Sequence, residues 1–174
     1  YEELDLGGRT VVPGLIDAHI HVGYYRAEPD RQRYERFGEP KVTLLAAKQV
    51  REALLGGVTT LRDLGASHGQ SITVRDAVAA YDELPGARVV AAGQSITFTG
   101  GHAFYEADGV WGLRKAVREQ VRAGADVIKI GQSNDVTFPG FTPEELEAVI
   151  DEAHRLGRRV AVHVDREPGY GMAV

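Results

Sequence analysis

Five short apolar, β-branched segments alternate with four helix-patterned ones along this 174-residue chain, and that alternation restricts its fold more than any other feature. Strand-like residues run over Val11–Val22, with Pro13-Gly14 delaying the regular part to about Leu15. They recur over Val58–Leu64, Arg88–Ile96, Asp126–Ile130 and Arg159–Val164. Between them apolar residues fall at helical spacing over Pro40–Gly57, Ser71–Leu84, Val110–Ala123 and Thr142–Leu156, each run closed by glycine or Pro-Gly. Thr142, Pro143 and Glu145 carry a helix-start signature: N-cap, first-turn proline and capping-box acid. Strand–helix units repeating roughly every 30–35 residues imply βαβ crossovers and a parallel sheet.

Two architectures satisfy the pattern, a doubly wound open sheet and a (β/α)8 barrel. The open sheet needs a glycine-rich phosphate turn after its first strand, and a long aromatic, charged loop follows Val22 instead. The barrel needs polar, reactive residues at the C-terminal ends of strands, and several strands here have them. The expected class is α/β, a partial (β/α)8 TIM barrel incomplete at both ends, since a closed one needs eight strands and about 250 residues.

Composition removes other classes. Hydrophobic residues make up 43% and charged residues 26%, the profile of a globular chain. The net charge of −5 argues against a nucleic-acid partner, which would call for a basic face. Apolar runs such as Val89–Ala92 are far shorter than the 18 or more residues of a membrane span, so no membrane partner is expected. The absence of cysteine excludes disulfides and thiolate metal sites. It fits a cytoplasmic location, which is the expected one, and no signal peptide is visible.

The strongest chemical signal is His19-Ile20-His21. Side chains alternate along a strand, so the two imidazoles share one face and Ile20 takes the other. Such a pair can share one divalent ion; two histidines of the core or surface would look the same by spacing alone. Lys129 sits between Ile128 and Ile130 on an apolar strand. Burial lowers a lysine's pKa and exposes a neutral amine able to add carbon dioxide, whereas an ion pair with a neighbour such as Asp63 is the plainer alternative. His163 ends Val160-Ala161-Val162-His163 and shares a face with Ala161, as a ligand or as a core histidine. His102 follows Gly100-Gly101, where bare backbone lets a side chain reach a site. His68 is a weaker candidate for the mouth of a pocket, His154 reads as structural, Tyr170 as a possible substrate contact, and Arg62 and Asp63 as an internal ion pair. Residues 24–39 read as a loop over the mouth.

The run Val12-Pro13-Gly14-Leu15-Ile16-Asp17-Ala18-His19-Ile20-His21 resembles the first-strand signature of the amidohydrolase superfamily. Gly57–Asp63 resembles its second strand. Thr99-Gly100-Gly101-His102, Gly124–Lys129, Ala153–Gly157 and Val160–His163 resemble the branch that holds Xaa-Pro and Xaa-Arg dipeptidase-like and imidazolonepropionase-related enzymes. The resemblance implies a metal-dependent amidohydrolase that cleaves a peptide or amide bond of a small molecule or dipeptide through a metal-bridging hydroxide. It implies two divalent ions, with zinc the first expectation, held by His19, His21, His163 and a carbamate on Lys129. His102 and Tyr170 would contact substrate. The family's strand-six histidine and strand-eight aspartate, the latter its proton shuttle, have no match, so no catalytic residue proper is expected here. Val164-Asp165-Arg166 departs from the small residues usual after the strand-five histidine, which leaves substrate preference open. Residues 1–10 would be the last strand of a small β-domain and residues 11–174 the first part of the barrel, in a protein expected to be a homo-oligomer. The competing expectation is a half-barrel fragment or assembly module without activity.

Overall fold

A computed structural model describes residues 5–24, 31–80, 84–132, 140–165 and 171, and of residues 31–37 the backbone alone. The elements run β1 (Leu15–Ile20), α1 (Arg31–Leu55), β2 (Val58–Asp63), α2 (Gln70–Ala80), β3 (Arg88–Ala91), β4 (Ile96–Thr97), β5 (Tyr105–Glu106), α3 (Gly109–Ala123), β6 (Val127–Gly131), α4 (Pro143–Arg155) and β7 (Arg159–His163). The five strands and four helices of the expected alternation are present, whereas the strand expected within residues 1–10 is not seen over the described residues 5–10. Thr142 caps α4 through its side chain, and Glu145 returns the bond to the Thr142 backbone, as the sequence signature requires.

Three boundaries differ from expectation. Helix α1 begins at Arg31 and is broken at Gly38, whose φ of 68° is not helical; Pro40 then stands in the first turn of the regular part. Strand β3 ends at Ala91 instead of continuing to Ile96. Gly93 turns there with φ 71°, and the Gln120 side-chain oxygen on α3 accepts the Gln94 amide at 2.9 Å, drawing the chain off the sheet. Sheet pairing resumes only as the two-residue strands β4 and β5, which sequence patterning does not mark.

All strand pairs are parallel, in the orders β1-β2-β3 and β5-β4-β6-β7. The two sheets meet at Asp126, just before β6. Its amide donates to the Ala91 carbonyl at 2.7 Å, and its carboxylate accepts the Ala91 amide at 2.9 Å. Leu64, Ala92 and Val127 pack across the junction. Helices cover one side of this curved wall, giving two larger cores. Val22, Ala46, Val50, Leu61, Val74 and Val89 pack α1 and α2 on β2 and β3, while Ile96, Leu113, Val117, Ile128, Ile130 and Val149 pack α3 and α4 on β4 and β6. The architecture is α/β, a partial (β/α)8 barrel.

Among the described residues, β1 and β7 end the sheets on the sides away from the junction. Val11, Val12, Leu15 and Ile16 are exposed along β1 and the segment before it. Residues 5–10 carry no strand and are exposed.

Where α3 meets α4, Glu152 is 1% exposed and accepts hydrogen bonds from Arg118 at 2.7 Å, Arg114 at 3.2 Å and Arg155. The guanidiniums, Arg118 first, hold its carboxyl well below the usual range, at about 2. A carboxyl with a depressed folded-state pKa stabilises fully above its ordinary value of 4.5 and loses that contribution as pH falls towards 2. Glu152→Ala is expected to cost about 2–3 kcal/mol, less than a fully enclosed pair because two of the arginines reach water. Thermal unfolding should move down by roughly 5–10 °C. Asp151→Ala, at an exposed carboxylate paired with the same Arg114, should change stability by under about 0.5 kcal/mol.

Candidate metal centre

The C-terminal ends of β1, β6 and β7 converge on a cavity of about 420 Å³ whose wall includes His19, His21, Lys129, His163 and His102. The four residues expected as ligands therefore share one cavity, with one of the two expected substrate contacts. The other, Tyr170, lies outside the described residues, as does part of the loop expected over the mouth.

Strand alternation places the first pair. Ile20 packs outward against the α1–α2 core, so His19 and His21 turn inward with ring centroids 5.3 Å apart. The His21 Nδ1 lies 2.9 Å from the Gly65 carbonyl. A carbonyl can only accept, so Nδ1 is the donor, and in the neutral ring this tautomer leaves the lone pair on Nε2. Burial, with Lys129 and His21 nearby, lowers the His19 pKa, and burial followed by Lys129 and His102 lowers that of His163. Both imidazoles are held towards the neutral, donor form.

Lys129 is the central residue of β6, in which all five residues are buried, and is itself 4% exposed. Among the described residues no carboxylate pairs with it, so the plainer alternative of an ion pair with Asp63 is not realised. Desolvation, then the Arg62 charge, pulls its pKa from 10.5 to about 8. A lysine with a depressed folded-state pKa binds fewer protons folded than unfolded between those values, so stability rises with pH across that window. Metal-free chain is expected to gain stability from about pH 8 to about 10.5, and Lys129→Met should remove that slope. Urea midpoints measured across the window test it; an unchanged slope in the variant would show that Lys129 is not the titrating group.

The expected Arg62–Asp63 ion pair is corrected. Neighbours on β2 face opposite ways: Arg62 takes one face and donates through Nε to the Ala18 carbonyl at 2.7 Å, whereas Asp63 takes the other and is fully buried. His68 is exposed and off the cavity wall, and His154 is exposed on α4.

His163 closes β7 beside Gly131 of β6, and the His102 ring stands 5.5 Å from it. Glycine makes this approach possible. A Cβ on Gly131 would lie 2.7 Å from the His102 carbonyl oxygen, so any side chain there would push the His102 loop away from the strand. Tyr24, Ser95 and Phe104 also line the cavity and were not singled out by sequence. Ser95 lies in the segment read as continuing strand. Tyr24 was read only as part of the loop, yet it is tethered: Gln49 of α1 accepts from the Gly23 amide at 2.6 Å and donates to the Tyr24 carbonyl at 2.8 Å.

These residues fit a divalent ion. Imidazoles sharing a tetrahedral zinc ion at Zn–N of about 2.0–2.1 Å have ring centroids about 5 Å apart, and the His19–His21 spacing matches. Among the described residues no three His, Cys, Asp or Glu side chains stand grouped so as to hold an ion by themselves. Among the described residues the wall carries no Asp or Glu, and the charge of Asp165 acts on His163 from outside it. No helix among the described residues is long and apolar enough to cross a membrane.

A family model described as "Amidohydrolase family" matches residues 10–173. Ochratoxinase of Aspergillus niger is 31% identical over 208 residues, an alignment covering 95% of this chain and 41% of that protein. Its crystal structure superimposes with a TM-score of 0.82 at 29% identity, covering 92% of this chain and 45% of that one. A Xaa-Pro dipeptidase solved with methionine in its active site gives a TM-score of 0.81 at 31% identity, with coverage of 92% and 45%. A prolidase complexed with N-methylphosphonate-L-proline gives 0.85 at 27% identity, with coverage of 98% and 47%. The chain thus spans less than half the length of each of these proteins.

Proposed function

The chain belongs to the amidohydrolase family, and we propose that it supplies His19, His21, Lys129 and His163 to a site for two divalent ions that hydrolyses a peptide or amide bond of a small, dipeptide-like substrate. The observation that carries the reading is the convergence of these four side chains on one cavity. The likeness to proteins named as a Xaa-Pro dipeptidase and a prolidase supports the substrate class. Zinc is the proposed metal, because imidazole and carboxylate-type oxygen donors suit it. Bound there, the ions would polarise the scissile carbonyl and bring the pKa of water towards about 7.

The chain's own residues have separable tasks. His19, His21 and His163 offer neutral nitrogen donors. Lys129, as a neutral amine, attacks carbon dioxide to form an N–C bond and releases one proton to solvent. The resulting carbamate is an anion with two oxygens, replacing a cation that would repel bound metal. His102, beside His163, offers a ring N–H to a polar group of the substrate. Among the described residues no acid on the wall is placed to protonate a leaving amine, so on this reading that proton comes from a group beyond them.

A second reading, a half-barrel without activity of its own, is favoured by β1 and β7 ending the sheets among the described residues and by the exposed Val11, Val12, Leu15 and Ile16. Assays of amino-acid release from a panel of Xaa-Pro and other dipeptides separate the two. A longer polypeptide carrying this chain within a complete barrel should turn over with added zinc and lose activity on chelation, while the 174-residue chain alone shows none. Failure of the longer form under all metals would favour the second reading. Robust turnover by the chain alone would overturn the assignment of the missing proton donor.

A further inference from the structure

Asp63 is fully buried at the end of β2, beside the equally buried Ser71 side chain of α2. Its two oxygens face two different backbone segments. Oδ1 accepts the amide of Val22, the residue after His21, at 2.9 Å. Oδ2 accepts the amide of Gly65 at 3.1 Å. Gly65 is the residue whose carbonyl takes the His21 Nδ1 proton, at 2.9 Å. One carboxylate thus holds both the backbone that carries His21 and the peptide group that fixes its ring. A second backbone bond, from the Leu64 amide to the Ile20 carbonyl at 2.9 Å, ties the same two segments.

We propose that Asp63 is a positioning residue for the metal centre, acting through Val22 and Gly65 to keep His21 in the Nδ1-protonated tautomer with Nε2 presented to the cavity. The inference rests on the reading of His21 as a metal ligand, although the tautomer itself is fixed before any ion arrives. The charge and the shape of the carboxylate are both used. Two amides converge on it, and an asparagine can accept only one of them, because its NH₂ meets the other donor to donor. An Asp63→Asn chain is therefore expected to release either Val22 or Gly65 and free the His21 ring to rotate. Loss of an outer partner of this kind typically lowers metal affinity about 10–100-fold.

The test uses the 174-residue chain with ¹⁵N-labelled histidine rings, first metal-free and then titrated with zinc alone. In the unaltered chain the neutral form of the His21 ring should report a single tautomer, with Nδ1 protonated and Nε2 not. Asp63→Asn should show mixed tautomers and about 10–100-fold weaker zinc binding. Val74→Ala, a cavity in the same core away from the centre, should lose comparable stability while leaving tautomer and affinity unchanged. A single Nδ1-protonated tautomer and unaltered zinc affinity in Asp63→Asn would overturn the proposal. If the unaltered chain binds no zinc while the tautomer still responds to Asp63→Asn, the metal reading fails and the clamp stands. Should Asp63→Asn not fold, amide hydrogen exchange in the unaltered chain decides. Protected Val22 and Gly65 amides are expected, and exchange at the rate of open loops would overturn the clamp.

Discussion

Replacing Lys129 with alanine is expected to abolish hydrolysis by a complete barrel carrying this chain, and small carboxylic acids added to the variant should restore part of it. The reason is electrostatic. Three neutral imidazoles would leave two dications with about four uncompensated positive charges in a cavity on whose wall the described residues place no carboxylate. An ammonium at Lys129 would add a fifth. A carbamate removes that charge and supplies two oxygens, and a diffusible carboxylate offers the same atoms once alanine opens the space. The structure makes the reaction accessible. With a pKa of about 8 the amine is half neutral at pH 8, against about 0.3% for an ordinary lysine. Carboxylation and metal binding should therefore be coupled, each raising the other. Added bicarbonate should increase zinc uptake by the unaltered protein and leave Lys129→Ala unaffected. Full activity and full metal content in Lys129→Ala without added acid would reduce Lys129 to a core lysine.

His19→Ala and His21→Ala should each empty one metal position, with zinc affinity falling by at least about 100-fold. The two differ in what they disturb. His21 is bonded to Gly65, so its loss also leaves the buried Gly65 carbonyl without that partner and should cost about 1 kcal/mol of stability in metal-free protein. The exposed His19 ring packs only against the cavity, and His19→Ala should be nearly neutral in the absence of metal. Chelator competition and thermal unfolding of both variants separate these effects. Unchanged metal stoichiometry in both would remove the shared strand face from the account of binding.

The parts of this molecule that sequence disclosed are those set by short-range rules. Helix α4 starts at Thr142 because a hydroxyl and a glutamate three residues on satisfy each other's backbone. His19 and His21 face the cavity because a strand alternates and Ile20 needs the core. Lys129 stands out because a lysine flanked by isoleucines in a buried strand has few roles. The residues that sequence misplaced are governed by distant partners. Strand β3 stops at Ala91 because Gln120, on a helix well along the chain, captures the Gln94 amide. Nothing near Gly93 in sequence announces that. Ser95 reaches the cavity wall only as a consequence of that break. Arg62 and Asp63 look like a pair as adjacent opposite charges, yet the pleat sends them to opposite faces, where one bonds Ala18 and the other Val22. Applying to Arg62 and Asp63 the alternation used for His19 and His21 would have separated them in advance.

The central claim is that His19, His21, Lys129 and His163 form one metal centre, and equilibrium dialysis against zinc in the presence of bicarbonate tests it most directly. The 174-residue chain is expected to retain at least about one zinc ion per molecule, and a combined His19→Ala, His21→Ala variant with the same fold by circular dichroism is expected to retain none. A folded chain that binds no zinc, or a double variant that binds as much as the unaltered chain, would contradict the account.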